Sequence, residues 1–203
     1  MDLIAIIALI PILALLVIVV LTQFIADARM TSCLSNMAAI GNGFRVWSLD
    51  HNGKYPMQLS TNSGGTREWL VKEQWFRQFQ VISNELGTPR TLVCPADSRD
   101  NKKTAYRFGE ALNNNNISYF IGMDAEKSDV YLLAGDRNIG CGSITENSIM
   151  VINNNKTCFW SNNIHYGKGN LSFGDGGVRK VENSQMIEML KNIRIPQKLG
   201  LPD

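Results

Sequence analysis

The chain has 203 residues, a formal net charge of +2 and 44% hydrophobic residues, which fits one domain with an additional segment. This balanced charge comes without a basic or acidic block, so the composition argues against a nucleic-acid partner. The four cysteines contain no Cys-x-x-Cys pair, so neither a zinc ribbon nor a dithiol redox motif is predicted.

Residues 1–26 are almost entirely apolar, and Leu3–Leu21 carries no charged or strongly polar side chain. As a helix this stretch would span about 28 Å, close to the hydrocarbon thickness of a bilayer. Membrane helices tolerate a proline such as Pro11, usually with a kink. A cleaved signal peptide is the alternative, with Ala26-Asp27-Ala28 as a weak cleavage site, but it requires a basic start and a shorter apolar core. We therefore predict a membrane anchor over residues 1–26.

Residues 27–55 continue the helix with a different pattern. Apolar side chains recur at steps of three and four and form one stripe, which comprises Met30, Leu34, Met37, Ile40, Phe44 and Trp47. Gly53 and Pro56 supply the residues that end helices. The sequence thus predicts one helix of about fifty residues, apolar all round in its first half and amphipathic in its second, with a sheet against one face.

Residues 56–203 predict an α+β head with an antiparallel sheet. Arg67–Glu85 is expected to form one or two short helices with Trp69, Trp75, Phe76 and Phe79 in the core rather than on a ligand platform. Thr91–Cys94 is expected to be extended. Further strands are predicted at Ser118–Met123, Val130–Ala134, Ser148–Ile152 and Thr157–Ser161.

The end of the chain predicts a hairpin and a helix. Gly169–Phe173 and Gly177–Val181 flank Gly174-Asp175-Gly176, and Asp-Gly between alternating runs is a strong hairpin signal. Ser184 is expected to cap a final helix. Its predicted apolar face comprises Met186, Ile187, Met189, Leu190 and Ile193.

Candidate site residues are few, and for each a structural role is favoured. His165 and Asp175 could form a catalytic or metal pair, but we expect His165 to pack at the sheet edge and Asp175 to shape the turn. Cys94 could act as a nucleophile with His165 as its base, although Pro95 beside it suggests a structural cysteine. No catalytic residue is assigned, and the chain is predicted to be non-enzymatic.

Calcium is the one cofactor that the sequence allows. Asp124, Glu126 and Asp129 place three carboxylates within six residues, but their spacing is not that of an EF-hand and Lys127 lies among them. A solvated loop without bound metal is favoured. Gly135-Asp136-Arg137-Asn138 is expected to be a turn held by its own Asp–Arg pair rather than a binding loop.

The cysteine count permits two disulfides in an exported head, with three possible pairings. Free, buried cysteines are an equal alternative. If the head lies outside the cytoplasm, Cys141–Cys158 is the favoured bridge.

Several stretches together resemble type IV pilin-like proteins, specifically the pseudopilin-like group with a His-x9-Asp-Gly motif. That motif corresponds to His165, Asp175 and Gly176. The resemblance also covers CLSNMAAIGNGFRVWSLDHNGKYP (Cys33–Pro56), LVCPAD (Leu92–Asp97), and SYFIG followed by LLAGDRNI (Ser118–Ile139). It implies a long helix packed on an antiparallel sheet, and a subunit of a type II secretion or type IV pilus-like assembly.

The resemblance also implies the location and the partners. It places the chain as a single-pass protein of the bacterial inner membrane, with its head outside the cytoplasm. This overrides the weak argument from Arg29 and Arg45 for a cytoplasmic head. The expected partners are the lipid bilayer and other pilin-like subunits, which would make the assembled protein a homo- or hetero-oligomer.

The start of the chain departs from the family pattern. Met1-Asp2-Leu3 shows no basic leader, and Ala5 stands where the family usually has a glutamate. Two expectations therefore stand side by side. One is a subunit that polymerises, and the other is a membrane-anchored binding module that has this fold and does not polymerise.

Overall fold

A computed structural model describes residues 2–71, 73–109, 111–141, 148–153, 157–191 and 196–202, with side chains from Leu9 onward. Its first element is one continuous helix, α1 (Asp2–Leu49), which runs through Pro11 without interruption. The prediction of a single long helix is confirmed. By its length and composition, α1 can cross a membrane.

The two halves of α1 have different surroundings. Every large hydrophobic side chain of Leu9–Ile25, here called the exposed half, is between 47% and 68% exposed. Burial begins at Met30 and continues over Met30–Leu49, here called the buried half. The predicted stripe lies on the head, and only Leu34 among its six members is half-buried rather than buried.

Glycines set how closely the buried half approaches the head. A Cβ on Gly41 would lie 2.5 Å from Ser172 Oγ, and one on Gly43 would lie 3.3 Å from Ile82 Cδ1. Gly41 therefore faces the sheet and Gly43 faces a short helix. Both glycines lie where the helix packs closely against the head.

Short helices and turns follow α1 and cover the core. They are α2 (Arg67–Leu70), α3 (Phe76–Gln80) and α4 (Ser83–Leu86), with 3-10 turns at Pro56–Gln58, Thr61–Ser63, Pro89–Leu92 and Asn114–Asn116. Of the aromatic group, Trp75 and Phe79 are buried, while Trp69 and Phe76 are half-buried. The extended segment predicted over Thr91–Cys94 is wrong at its start, since Thr91 and Leu92 complete a 3-10 turn that Pro89 begins.

The strands in the described part of the chain form two sheets, and every pairing is antiparallel. The larger sheet has the order β4-β8-β1-β2-β6-β7, and the smaller one joins β3 to β5. The strands are β1 (Tyr119–Gly122), β2 (Leu132–Asp136), β3 (Ile139–Cys141), β4 (Ile149–Ile152), β5 (Cys158–Trp160), β6 (Lys168–Phe173), β7 (Val178–Glu182) and β8 (Gln197–Gly200).

The α+β prediction is confirmed, and two strands are additional. Neither β3 nor β8 was predicted. In sequence β8 is the last strand, but in the larger sheet it lies in the interior, between β4 and β1. The final helix, α5 (Asn183–Lys191), buries Met186 and Leu190 as predicted, whereas Ile187 is 49% exposed. Ile193 lies outside the described residues.

The predicted hairpin is present, with its turn at the predicted residues. β6 and β7 are joined by Gly174-Asp175-Gly176, in which Gly176 N donates to Phe173 O at 2.9 Å. Only Gly176 has a positive φ, of 89°, which is typical of a three-residue loop that ends in a left-handed glycine. Tyr55 Oη donates to Gly174 O at 2.7 Å and so connects the end of α1 to this turn.

Candidate functional site

Four buried side chains from distant parts of the chain meet where the buried half of α1 lies against the head. They are Cys33 of α1, Cys94 after the Pro89–Leu92 turn, Asp136 at the end of β2, and His165 in the loop between β5 and β6. One sulfur, nitrogen or carboxylate oxygen of each lies within 4.8 Å of the corresponding atoms of the others. We call this group the His165 cluster.

Cys33 and Cys94 are joined by a disulfide, which attaches α1 covalently to the head. Cys94 Sγ lies 3.4 Å from His165 Nε2, and the same nitrogen lies 3.5 Å from Asp136 Oδ2. The nucleophile–base pair considered for Cys94 and His165 therefore has the right proximity. The sulfur, however, is already bonded to Cys33, so this form of the protein offers no Cys94 thiolate.

Asp136 is held in place by β6. Its Oδ2 accepts hydrogen bonds from Asn170 N at 2.7 Å and Asn170 Nδ2 at 2.9 Å. Its Oδ1 is buried and has no hydrogen-bond partner among the described residues. Buried carboxylate oxygens are normally paired, so an unpaired one marks a place with spare binding capacity.

Burial drives Asp136 and His165 toward their neutral forms. It raises the pKa of Asp136 to about 7, against hydrogen bonds from Asn170 that lower it. It lowers the pKa of His165 to about 4, and the charge of Lys180 acts in the same direction. The close approach of these two side chains is therefore a contact between a neutral imidazole and a carboxyl group that is about half ionised near pH 7, rather than a strong ion pair.

A second buried carboxylate, Asp97, is ionised. Its Oδ2 lies 3.0 Å from Arg99 Nη2 and 3.2 Å from Arg137 Nε, and Ser118 Oγ donates to it at 2.7 Å. Burial alone would raise the pKa of Asp97, but the hydrogen bonds from Arg137 and Ser118, the charge of Arg137 and the hydrogen bond from Arg99 lower it to about 2. The predicted internal pair of Asp136 with Arg137 is wrong, because Arg137 binds Asp97 and Asp136 lies in a strand.

A cavity of about 740 Å³ opens between α1 and the loop that carries His165. Met30 and His165 line its inner end, and Arg29, Lys168 and Lys180 line it with cationic side chains. Lys168 is paired with Glu182 at 2.9 Å. The cavity begins at Thr22, within the exposed half of α1, so it lies at the junction of the exposed half and the head.

His165 and Asp175, considered as the less favoured alternative of a catalytic or metal pair, are not brought together as a site. His165 contacts Cys94 and Asp136, whereas exposed Asp175 accepts a hydrogen bond from Gly177 N at 2.7 Å and shapes the hairpin turn. The two ends of the His-x9-Asp-Gly motif thus have separate structural roles.

The calcium candidates do not join the His165 cluster or a similar group among the described residues. Asp124, Glu126 and Asp129 are exposed. Asp124 Oδ2 accepts a hydrogen bond from Lys198 N at 2.8 Å, and a Cβ on Gly174 would lie 1.7 Å from Glu126 O. This loop is positioned by backbone contacts to β8 and to the hairpin turn.

Cys141 and Cys158 form the other disulfide, across the paired strands β3 and β5. This is the bridge favoured from the sequence. All four cysteines are therefore paired, and the alternative of free cysteines is not what the structure has.

Sequence reasoning missed Asp136 and Cys33 as partners of His165. A signal was present, because each member of the His165 cluster lies in a different one of the four stretches that carry the family resemblance. Asp136 belongs to LLAGDRNI, Cys94 to LVCPAD, and Cys33 begins the stretch after the anchor. The separate short motifs therefore meet at one place in the fold.

No family model, curated protein or solved structure matches the chain at a significant level. The functional argument therefore rests on this chain's own residues.

Proposed function

We propose that the chain is a non-enzymatic, pseudopilin-like subunit of a type II secretion or type IV pilus-like assembly. In this proposal it is anchored in the bacterial inner membrane by α1 and its head lies outside the cytoplasm. The observation that carries the proposal is the bare surface of the exposed half of α1, where large hydrophobic side chains from Leu9 to Ile25 have no partner in the head among the described residues.

A helix that is apolar on all sides and unpartnered requires lipid or other apolar helices. Exchange between these environments costs little, because lipid tails and neighbouring leucine side chains are similarly apolar. Such a helix can therefore lie in the bilayer before assembly and in a helical bundle afterwards. The buried half, fixed to the sheet, would carry the head with it.

The two disulfides support the proposed side of the membrane. Disulfides persist in oxidising compartments such as the periplasm and are rare in the cytosol. Cys33 lies only a short distance beyond the exposed half, so the bond to Cys94 would form close to the membrane surface.

A double cysteine variant tests bundling. Leu13 and Leu15 are 60% and 62% exposed and point in nearly opposite directions, since two helical residues turn by about 200°. With the native cysteines paired, oxidation of L13C/L15C in membranes should give a ladder of cross-linked species. The single variant L13C is the matched control and should stop at dimers.

A binding module anchored by α1 is the second candidate, and the cavity beside His165 favours it. This protein would act through its head and would not bundle. Monomers alone in the oxidation of L13C/L15C, at a normal membrane level of the protein, would contradict the assembly proposal and support the binding module.

A further inference from the structure

We propose that, once the Cys33–Cys94 disulfide is reduced, the His165 cluster binds one Zn²⁺ ion through Cys33 Sγ, Cys94 Sγ, His165 Nε2 and a carboxylate oxygen of Asp136. The proposal goes beyond the proposed function, because it requires neither a membrane nor a second subunit. It concerns how α1 is held to the head in the absence of the disulfide.

The four side chains are ligands that zinc uses. Zn²⁺ binds thiolate, imidazole and carboxylate groups, and structural sites are almost always four-coordinate and tetrahedral. The four come from four separate segments and converge on one point, with their ligand atoms within 4.8 Å of one another. Chance clusters of surface acids differ from this group, whose members are all buried.

Two of the distances already present fit a tetrahedron. Bonds of about 2.0–2.3 Å to zinc place neighbouring ligand atoms about 3.3–3.8 Å apart. The observed separations are 3.4 Å from Cys94 Sγ to His165 Nε2 and 3.5 Å from His165 Nε2 to Asp136 Oδ2. The two sulfurs, freed from their bond, must move apart to about 3.8 Å, and any pair of ligand atoms near the 4.8 Å limit must close by about 1 Å.

The surroundings support the ligands. Asn170 holds Asp136 with two hydrogen bonds to Oδ2, while the unpartnered Oδ1 is available as well. Such outer partners orient ligands and sustain metal affinity. The ligands stand on α1 and β2 and in the segments adjoining the sheet, and the cavity at His165 gives an ion a route from the surface.

Reduction of the disulfide and binding of zinc transfer electrons and protons in two separate steps. A thiol reductant, such as dithiothreitol, gives two electrons and two protons to the disulfide, becomes a disulfide itself, and leaves Cys33 and Cys94 as thiols. Binding of Zn²⁺ then releases both thiol protons, since the ligands are thiolates. A disulfide oxidant, such as oxidised glutathione, takes the two electrons from the two thiolates, becomes two thiols with two protons from water, and so re-forms the Cys33–Cys94 bond and releases the ion. Either form keeps α1 attached to the head.

The second disulfide provides a control within the same chain. Cys141 and Cys158 are also buried, but they belong to no group of three or more metal-binding side chains among the described residues. Reduction should therefore create a zinc site at the first disulfide and none at the second.

The experiment uses the full chain in detergent, reduced and freed of metal, with Zn²⁺ alone as the probe. We expect one zinc per reduced chain by elemental analysis and essentially none per oxidised chain. Co²⁺ in place of Zn²⁺ should give the near-ultraviolet thiolate absorption and the strong visible bands of a tetrahedral site. The C141S/C158S variant should retain the site, and C33S/C94S should lose it.

Isosteric variants separate binding from folding. Loss of a residue that only supports a metal ligand weakens binding by roughly 10- to 100-fold. D136N and H165Q alter ligands themselves, so they should weaken zinc binding by more than this. If reduction unfolds the head, added Zn²⁺ should restore its circular dichroism. The proposal is overturned if the reduced chain, folded or not, takes up no zinc, or if C33S/C94S binds as much as the reduced parent.

Discussion

At the scale of single residues, the head depends on a few buried polar contacts whose loss has no substitute. Asp97 is the clearest, because one fully buried carboxylate receives hydrogen bonds from Arg99, Arg137 and Ser118. Removing it would take a shared negative charge away from both guanidinium groups. Removing one partner of a buried ion pair destabilises the fold by much more than the net contribution of the pair, because the remaining charge is buried without compensation.

The substitution D97N should lower the free energy of unfolding at pH 7 by about 3 kcal/mol. The pKa of Asp97 is about 2 in the folded protein and near 3.8 when unfolded, so its ionised form stabilises the fold above pH 4. That stabilisation is lost as pH falls from 4 to 2, and the difference between parent and D97N should shrink over this range. Thermal unfolding in detergent measures it, with exposed D100N as the control. A difference that stays constant down to pH 2 would contradict the assignment.

Gly174 matters because of space rather than backbone conformation. A Cβ there would lie 1.7 Å from the backbone oxygen of Glu126, which cannot move as a side chain could. We expect G174A to destabilise the head by about 3 kcal/mol. G43A is the control, since its Cβ would meet only side-chain ends at 3.3 Å or more, and helix propensity should offset the contact. Equal melting temperatures for the two variants would show that the turn does not pack as described.

At the scale of elements, α1 contains two segments with different energetic roles on one helix. The buried half contributes its stripe to the core, and the exposed half contributes nothing to the head's packing. Glycines at 41 and 43 allow the close approach on two sides. The same helix can therefore be essential to the fold in one half and essential to location in the other.

A matched pair of alanine substitutions tests this division. Ile40 is fully buried, so I40A should lower the stability of the head by about 2–5 kcal/mol. Leu16 is 58% exposed, and L16A should change the stability of the head by less than about 0.5 kcal/mol. Near-ultraviolet circular dichroism during heating in detergent reports on the head alone. A loss for L16A as large as that for I40A would refute the separation of the two halves.

At the scale of the whole molecule, the anchor and the head are separable in their contacts. The described core of the head begins to involve α1 at Met30, and the exposed half ends at Ile25. The disulfide at Cys33 lies on the head side of this boundary. Among the side chains that the structure describes, none from Leu9 to Ala26 belongs to the core of the head.

Deletion of residues 2–26 should give a soluble, folded head with both disulfides intact. The full chain should remain in the membrane fraction after alkaline carbonate extraction, because about 20 apolar residues are enough to span a bilayer. Extraction of the full chain by carbonate, or a head that stays with the membrane by itself, would contradict the role assigned to the exposed half.

Local sequence patterns determined a large part of this fold. Three patterns depend only on residues that are close together along the chain. They are the uninterrupted apolar run, the stripe at helical spacing, and the Asp-Gly between alternating runs. The long helix, most of the strands and the β6–β7 hairpin were accordingly predicted. Their boundaries moved by a few residues, because helix and strand ends depend on caps and on partners elsewhere.

Only the tertiary structure decided which distant residues meet. Asp136 was assigned to Arg137 beside it, but the fold directs one toward His165 and the other toward Asp97. The place of β8 between β4 and β1, and the pairing of Cys33 with Cys94, likewise depend on segments that are distant along the chain, with a sequence separation of 61 between the two cysteines. Periodicity reports which face of an element is buried, whereas the partner on the other side follows from the path of the whole chain.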